Sequence, residues 1–362
     1  MSKARGLADL GNAYSDGALS NRNLIINGAM QVAQRGTSET GVANALYHTV
    51  DRFVLNTKTG ATWTATQESD APSGFSKSFK HEVTSANASP DASYYAVIQH
   101  RLEGQNVQSI AKGTADAKSL TVSFWVKSNV TGTYRFALLD VDNTRTIGAT
   151  YSVSSSGAWE YKTITFDPDT TGVLDADASE SLSLDWWISS GTDWSSGATP
   201  TSWEATVIAD RNAGSSVNVA GAVSNYFQLT GVQLEVGDTA TPFEHRSYGD
   251  ELARCQRYFQ RFDSSASTST EFGIGAAYDG SYAIAPIFLK PFMRVAPTAS
   301  ASGTFHFSGS TTNVITSIVF GTASEHSIRF RGYSASSFSN NAAYRLRDGG
   351  SGDAVIELDA EL

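Results

Sequence analysis

Apolar and polar residues alternate along the first two thirds of the chain. In the segment LTVSFWVK (120–127), every second residue is apolar: Leu120, Val122, Phe124 and Val126. Successive side chains of a strand point to opposite faces, so this pattern predicts a half-buried antiparallel strand that leaves Trp125 on the polar face. The segment TYRFALLDV (133–141) follows after a Gly- and Asn-containing turn, and it predicts the second strand of a hairpin.

The same alternation recurs in further short segments that are separated by turn residues. These segments are EYKTITF (160–166), SLSLDWWI (181–188), EATVIA (204–209) and YFQLTGVQLEV (226–236). Many short strands broken by Gly, Ser and Asn turns are typical of a β-sandwich or jelly roll. No repeat of fixed period accompanies them, which argues against a β-helix or a propeller.

The period changes in SYGDELARCQRYFQRF (247–262). Its apolar residues recur at intervals of three and four: Leu252, Cys255, Phe259 and Phe262. This spacing predicts one amphipathic helix over 247–263, and the SSASTST run (264–270) after it predicts a linker. Strand-like alternation then resumes to the C-terminus. We therefore expect an all-β protein, with a jelly-roll or β-sandwich domain over 23–246, the helix, and a second small β-sandwich domain within 264–362.

Composition supports the all-β prediction and excludes several functions. Charged residues make up 17% of the chain, below the usual value of about 25%, so Ser, Thr, Asn and 31 glycines supply much of the polar surface. The net charge of −10 and the scattered basic residues argue against nucleic acid as a partner. No apolar run is long enough to insert into a membrane, and the N-terminus lacks the apolar region of a secretory signal. With a single cysteine, we expect a soluble protein made in a reducing compartment without an intrachain disulfide.

The sequence offers few groups for catalysis or metal binding. Cys255 is a candidate nucleophile with His245 ten residues upstream, but it lies on the apolar stripe of the predicted helix, so a packing cysteine is favoured. The histidines are dispersed and show no zinc-ligand spacing. GIGAAYDG (273–280) has Tyr278 where a dinucleotide-binding fingerprint requires its third glycine. We expect no enzyme, no cofactor and no metal site among these residues.

Two acidic regions leave alternatives open. In DPDTTGVLD (167–175), oxygen-bearing residues fall at several positions of a calcium loop, but position 12 is Ala178, so the segment could instead be an Asp-rich turn. Asp185, Asp193 and Glu204 lie near four tryptophans, a mixture of acids and rings that suits carbohydrate sites. Those tryptophans are Trp186, Trp187, Trp194 and Trp203. The alternative is that Trp186 and Trp187 point to opposite faces of one strand, with one of them in the core.

Three stretches together resemble a β-rich module of bacteriophage and prophage tail-fibre and minor structural proteins. NLIINGAMQVAQRGTS (23–38) followed by DRF (51–53) resembles the opening of that module. YFQLTGVQLEVGDTATPFEHRSYGDELARCQRYFQ (226–260) is similar to its ending. LTVSFWVKSNVTGTYRFAL (120–138) lies between them, and KPFMRVAPT (290–298) resembles a segment that follows the module.

The resemblance implies a jelly-roll, carbohydrate-binding-module-like domain on a virion. Such proteins usually assemble as trimers that attach to other tail or capsid proteins through the N-terminus. Residues 1–22 would then be the virion-attachment arm, although their small polar composition also suits a disordered terminus. Leu24 to Met30 would form an entry strand, with a bend at Gly28. The expected role is a tail fibre or receptor-binding protein that contacts a host surface glycan; the alternatives are a head fibre or capsid-decorating protein and, third, a glycan depolymerase.

The C-terminal domain would be the exposed tip, where the likeness fades after about residue 298. Its candidate ligand-binding residues are aromatic and lie among Ser, Asn and Gly: Tyr278, Tyr282, Tyr333, Phe338 and Tyr344. The alternative is that many of these rings belong to a core or an interface. For the helix, we expect the stripe of Leu252, Cys255, Phe259 and Phe262 to pack near a three-fold axis or at the joint between domains.

Overall fold

The computed structural model describes residues 21–58 and 60–362 of the chain. The predicted arm over 1–22 therefore lies outside the described residues, apart from Asn21 and Arg22. Two compact units are present: unit 1 extends to Glu251 and includes Leu362, and unit 2 comprises 252–361. Neither helix in the described part of the chain is long and apolar enough to cross a membrane.

Unit 1 contains twelve strands and one short helix within its described residues. The strands are β1 (Ser38–Val42), β2 (Phe53–Lys58), β3 (Thr62–Glu68), β4 (Ser78–Ser85), β5 (Tyr95–Glu103), β6 (Leu120–Ser128), β7 (Gly132–Asp140), β8 (Arg145–Val153), β9 (Glu160–Phe166), β10 (Glu180–Ser190), β11 (Glu204–Ala205) and β12 (Tyr226–Val236), and the helix is α1 (Thr192–Ser195). They form two six-stranded antiparallel sheets, with orders β1-β3-β4-β12-β6-β9 and β11-β8-β7-β10-β5-β2. Unit 1 is thus a β-sandwich of the jelly-roll type, as the alternation predicted.

One apolar core lies between the two sheets of unit 1. The alternating residues of β6, from Leu120 to Val126, and Trp186 of β10 all belong to it. Trp187 is also buried, but it follows Trp186 on the strand and lies on the opposite face. The alternative interpretation of this tryptophan pair is therefore confirmed.

Two predicted elements of unit 1 differ from the structure. The hairpin over 120–141 is wrong, because β6 pairs with β9 and β12 in one sheet whereas β7 pairs with β8 and β10 in the other. Residues 129–131 therefore connect the two sheets. The EATVIA strand is also wrong beyond Ala205, because the chain turns into a 3₁₀ segment at Ile208–Asp210.

The segment over 23–32 is not the strand that was predicted. It lies beside β12 as an irregular segment with a turn at 27–30, and Leu24 N–H donates to the Leu234 carbonyl while Val232 N–H donates to the Gly28 carbonyl, both at 2.9 Å. A Cβ atom on Gly28 would lie 2.1 Å from the Val232 oxygen. Gly28 lies in a turn that the hydrogen bond from Met30 N–H to the Asn27 carbonyl closes (2.8 Å), so the expected bend is present, and the close backbone approach is what requires glycine.

The two ends of unit 1 are joined by a set of hydrogen bonds, which we call the terminal clasp. The Glu244 carboxylate accepts from the backbone N–H groups of Asn21 (2.6 Å) and Asn23 (2.9 Å), and Arg246 donates to the Ile25 carbonyl (2.8 Å). Asn27 N–H donates to Glu251 at 2.6 Å. The two sequence segments that carry the phage resemblance therefore contact each other.

Unit 2 contains ten strands within 252–361. They are β13 (Phe259–Asp263), β14 (Glu271–Ala277), β15 (Tyr282–Phe288), β16 (Thr298–Ser302), β17 (Phe305–Ser308), β18 (Thr312–Val314), β19 (Ser317–Ala323), β20 (Ser327–Tyr333), β21 (Ala343–Asp348) and β22 (Val355–Asp359). A three-stranded sheet, β13-β22-β16, and a seven-stranded sheet, β18-β17-β21-β14-β15-β20-β19, share one core. The second β-sandwich is thus confirmed.

The helix and the linker between the predicted domains need correction. The helix, α2 (Tyr248–Gln256), ends well before 263, and Phe259 and Phe262 lie on β13 instead. The SSASTST segment is not a free linker, because Ser264 is fully buried and its hydroxyl donates to Asp348 at 2.8 Å. An apolar spacing of three and four continues past Gln256, but pairing with β22 takes this segment into a sheet.

Candidate functional site

A cluster of partly exposed aromatic side chains lies on the solvent-facing side of the sheet that contains β12, β6 and β9. Its rings are Phe75, Trp125, Tyr161, Phe243 and His245. Together with Ser73, Gly74, Ser123, Gly231 and Pro242 they line a cavity of about 480 Å³, which we call the aromatic groove. Trp125 and Tyr161 lie opposite each other on β6 and β9, with ring centroids 5.2 Å apart.

The remaining rings come from two loops that meet above the sheet. Phe75 contacts Phe243 and His245, with centroid separations of 4.9 and 5.3 Å. Phe243 and His245 contact each other at 4.8 Å. Because these rings pack edge to face or tilted, they brace one another and leave ring surface exposed to the groove.

A bulge in β12 forms the floor of the aromatic groove. The register between β12 and β6 shifts between Thr230 and Gln233, where Gly231 has a φ of +61°. A Cβ on Gly231 would lie 2.7 Å from the Phe75 ring and 3.0 Å from Trp125. The bulge therefore lets both rings close onto the sheet, and bulges are common beside binding sites.

A neutralised ion pair borders the aromatic groove. Lys127, two residues after Trp125, contacts the Asp70 carboxylate at 2.6 Å, and Trp159 donates to the same carboxylate at 3.2 Å. The hydrogen bond from Lys127 lowers the pKa of Asp70. Flat rings beside hydroxyl, imidazole and amide groups can stack on the C–H face of a sugar and bind its hydroxyls.

Three of the five predicted ligand-binding residues form a second cluster on unit 2. Tyr278 and Tyr282 stack at 5.1 Å with 14° between their planes, and Tyr282 lies 5.1 Å from Tyr333, its direct partner across β15 and β20. The guanidinium of Arg331 lies 4.9 Å from the Tyr282 ring centre. We call Tyr278, Tyr282, Tyr333 and Arg331 the tyrosine cluster; Tyr278 is 68% exposed.

The other two predicted ligand-binding residues are core residues. Phe338 and Tyr344 are buried, and both pack against Phe307. The Tyr344 hydroxyl accepts a hydrogen bond from the Ser339 N–H at 3.0 Å. Their assignment as ligand-binding residues is wrong, because Phe338 folds inward from the Ser- and Asn-rich loop and Tyr344 lies on the inner face of β21.

The Asp185 carboxylate, near the tryptophans, is hydrogen-bonded and ion-paired within unit 1. The buried Asp185 carboxylate contacts Arg211 at 2.7 Å and also accepts from Gln99 (2.7 Å) and Ser183 (2.8 Å). The Arg211 guanidinium in turn lies over the rings of Trp187 and Trp194. Both Asp185 oxygens thus have partners within unit 1.

The Lys112 ammonium binds the acidic loop at 167–175, where a bound cation was considered. The Lys112 ammonium lies 2.5 Å from Asp140 and 3.0 Å from Asp169, and it donates to the Thr171 and Gly172 carbonyls at 2.9 and 3.0 Å. Burial alone would raise the pKa of Asp169, but hydrogen bonds from Arg145 and Lys112 lower it overall. Within residues 21–58 and 60–362, no group of three or more His, Cys, Asp and Glu side chains is placed to hold a metal.

The four residues predicted to line an interface differ in exposure. Cys255 and Phe259 are both buried within the chain, so neither presents a surface to a sister chain. Leu252 and Phe262 are half-buried, and Phe262 packs against the unit 2 core. His245 lies in the aromatic groove with Phe75 and Phe243. A trimer axis at this segment stays a prediction.

The aromatic groove was not predicted, although the sequence contains one signal of it. The alternation of 120–127 places Trp125 on the polar face, where a large ring is unusual. The other rings come from segments that are far apart in sequence, and only the pairing of β6 with β9 and β12 brings them together.

Comparisons with known proteins give no close relative. The chain matches no protein-family model and no curated protein. Among solved structures it is similar to the enzymatically active domain of tailspike protein 4 of bacteriophage CBA120, at 10% identity and a TM-score of 0.31 over 59% of this chain. The chain covers 21% of that protein's length.

Carbohydrate-binding modules are also among the similar structures. The family 11 module of a cellulosomal cellulase of Clostridium thermocellum matches 57% of this chain and 98% of its own, at 12% identity and a TM-score of 0.29. The N-terminal tandem CBM22-1–CBM22-2 domain from Paenibacillus barcinonensis matches 90% of this chain and 100% of its own, at 8% identity and 0.28. At such scores these likenesses carry no argument, and the fold assignment rests on the strand pairing.

Proposed function

We propose that this protein is a non-enzymatic virion structural protein, a tail fibre or receptor-binding protein whose aromatic groove binds a saccharide of the bacterial surface. The observation that carries the proposal is the set of partly exposed rings around the groove, held in place by the Gly231 bulge and edged by hydrogen-bonding groups. The resemblance of 23–38 and 226–260 to phage modules supports the virion setting. The satisfied Asp185 carboxylate and the buried Cys255 support binding without catalysis.

An array of bacterial surface oligosaccharides, followed by calorimetric titration of the best binder, tests the saccharide proposal. We expect Tyr161→Ala to weaken binding about tenfold, which corresponds to ~1.4 kcal/mol, because the ring is half-exposed in the groove. Tyr248→Ala is the matched control, since Tyr248 is an exposed ring of unit 1 that does not line the groove. No binder on the array, or equal losses in both variants, would refute the groove.

The same oligosaccharides separate a binding protein from a depolymerase. A binding protein leaves the number of reducing ends constant during incubation, whereas a depolymerase increases it. We expect no increase with the intact chain. A sustained increase would show that the non-enzymatic part of the proposal is wrong.

The virion setting and the assembly have their own tests. Deleting residues 1–22 and reconstructing the particle shows whether density is lost from the tail or from the head, which separates a tail fibre from a head fibre. We expect loss at the tail. Light scattering of the purified chain is expected to give three copies, and a monomer at low concentration would contradict the proposed trimer.

A further inference from the structure

Within the described part of the chain, Arg331, the arginine of the tyrosine cluster, is one of three arginines on its sheet that form no ion pair, together with Arg329 and Arg347. Arg345, on the same seven-stranded sheet, contacts Glu271 at 2.7 Å. Among the described residues, no carboxylate forms an ion pair with Arg331, whose Nη1 donates only a long hydrogen bond of 3.4 Å to the Tyr333 hydroxyl. The charge of Arg331 therefore lacks a counter-ion in unit 2.

A second observation also indicates a missing acceptor. The Nε atom of Arg331 is buried and has no hydrogen-bond partner in the described part of the chain. A charged donor that has lost its water without gaining another acceptor is unfavourable in the free protein. Because Nε is shielded, a ligand would reach this guanidinium through its Nη groups, where a carboxylate would supply the counter-ion that Arg331 lacks in unit 2.

The rings around Arg331 restrict the shape of such a ligand. The rings of Tyr278, directly after β14, and Tyr282, the first residue of β15, lie in nearly parallel planes. The turn between them is fixed, because the Asp279 carboxylate accepts from the Ser281 N–H at 2.7 Å and Tyr278 N–H donates to the Tyr282 carbonyl at 3.0 Å. A rigid ring surface beside a planar guanidinium suits a flat-faced ring that carries a carboxylate.

We propose that the tyrosine cluster is a second saccharide site, selective for sugars that carry a carboxylate. The sugar ring stacks on the exposed face of Tyr278, and the carboxylate pairs with the guanidinium of Arg331. The inference rests on the proposed function only in that the ligand is a saccharide, since its residues lie in unit 2 and share nothing with the aromatic groove. It adds an acidic ligand class to a protein whose net charge is −10.

The test uses pairs of probes that differ in the carboxylate. Trigalacturonate is compared with its full methyl ester, and 3′-sialyllactose with lactose, by calorimetric titration of the full-length chain at low salt. We expect at least one acid to bind tenfold or more tightly than its neutral counterpart, and this preference to shrink in high salt. If neither acid binds more tightly than its neutral partner, the inference is wrong.

Matched variants assign the preference to Arg331. Arg331→Gln should weaken binding of the acid about 10- to 100-fold, as expected for loss of a charge-assisted hydrogen bond, whereas Arg345→Gln removes the same charge from the same sheet and should change little. Equal losses would indicate general electrostatic attraction and overturn the site. If Arg331→Gln instead dissociates an oligomer seen by light scattering, the cluster is an interface between copies and the inference fails.

The two proposals can fail separately. Tyr161→Ala should leave binding of the acidic probes unchanged, and Arg331→Gln should leave binding of the groove ligand unchanged. Thermal unfolding of each variant checks that the fold is intact. Loss of acid binding in Tyr161→Ala, with Arg331→Gln unaffected, would place the acidic ligand in the groove and refute the second site.

Discussion

In unit 1 the ammonium group beside the aromatic rings is neutralised, whereas in unit 2 the guanidinium among the rings is not. Lys127 contacts Asp70 at 2.6 Å next to the aromatic groove, but Arg331 contacts Tyr282 and Tyr333 and forms an ion pair with no carboxylate among the described residues. Both sites use exposed rings that can stack on a sugar. If both clusters bind sugars as proposed, the charge beside the rings would separate their ligands, with neutral sugars at the aromatic groove and acidic sugars at the tyrosine cluster.

The interiors of the two units differ in a related way. Unit 1 buries charge by pairing side chains, as at Lys112 with Asp140 and Asp169. Unit 2 holds its buried Asp348 with backbone N–H groups of Gly350 and Gly352 and with the Ser264 hydroxyl. We expect side-chain ion pairs in unit 1 and backbone N–H donors in unit 2 to respond differently to substitution and to pH. All seven tryptophans lie in unit 1, so tryptophan fluorescence reports on that unit alone.

The largest expected effect is from removal of the buried lysine. Lys112→Met leaves two buried carboxylates without their ammonium partner, so we expect a loss of ~3–5 kcal/mol in the free energy of unfolding of unit 1. Urea unfolding followed by tryptophan fluorescence measures it. Lys127→Met removes a surface ion pair and should cost only ~0–1 kcal/mol. Similar values for both variants would contradict the structural role of Lys112.

The next effect is a pH dependence that separates the two units. Burial lowers the pKa of His81 to about 3, and burial likewise lowers the pKa of His100. Both histidines are neutral in the folded protein, whereas in the unfolded chain they bind a proton below about pH 6.5. Their contribution to the free energy of unfolding is therefore complete above pH 6.5 and falls as the pH decreases towards the folded pKa. For His81 alone the loss by pH 5 is ~2 kcal/mol. Substitution of His81 by Leu should flatten this dependence.

Unit 2 is expected to resist the same acidification. Burial would raise the pKa of Asp348, but hydrogen bonds from Gly352, Ser264 and Gly350 lower it to about 2. The stability contribution of this carboxylate is present above pH 3.8 and is lost only as the pH falls towards 2. Hydrogen exchange of peptides from each unit between pH 6.5 and 4.5 should show loss of protection in unit 1 first. Simultaneous loss would refute the comparison.

A smaller effect distinguishes strain from packing at the aromatic groove. Gly231 and Gly74 both have positive φ, at +61° and +95°, but only at Gly231 would an added Cβ atom have neighbours within 4 Å. Gly231→Ala should therefore destabilise unit 1 by ~1 kcal/mol more than Gly74→Ala, and it should displace Phe75 from the groove. Urea unfolding and saccharide titration measure the two effects. Equal stability losses would show that backbone strain alone is responsible.

The smallest effect concerns the tyrosines of unit 2. Tyr344→Phe removes the acceptor of the Ser339 N–H, so we expect a stability loss of ~1 kcal/mol and unchanged binding of acidic saccharides. Tyr278→Ala should instead weaken binding of acidic saccharides and leave stability unchanged, because the Tyr278 ring is exposed. Thermal unfolding and calorimetric titration of both variants test this pair. Weaker acid binding in Tyr344→Phe would return Tyr344 to the candidate site.

Burial on one face imposes a period of two, and this period predicted β6, β7, β9, β10 and β12, whereas β1 to β5 and β8 were not identified. β6, β9, β10 and β12 begin and end within a few residues of their predicted bounds. Alternation does not identify the partner of a strand, which is why β6 and β7 were placed in one hairpin but belong to different sheets. The helix was extended to 263 because its apolar spacing continues after the chain has entered β13.

The candidate sites were less accessible from the sequence than the fold. Tyr278, Tyr282 and Tyr333 are exposed or partly exposed, so their ligand binding stays a prediction, whereas Phe338 and Tyr344 share the same Ser- and Asn-rich surroundings and are buried. Local composition does not report which side of a loop faces the core. Arg331 was not singled out, because the absence of a carboxylate partner among the described residues is a property of the folded sheet.

The terminal clasp determines how unit 1 would respond to tension on the chain. Glu244 and Arg246 hold the segment after Asn21 against the segment before Glu251, so the chain enters and leaves the sandwich side by side. A pull applied between these two segments is opposed first by a few hydrogen bonds, while the long β-ladders carry little load. Unit 1 therefore adds little to the end-to-end length of the chain until these hydrogen bonds break, and its sheets bear load only after that.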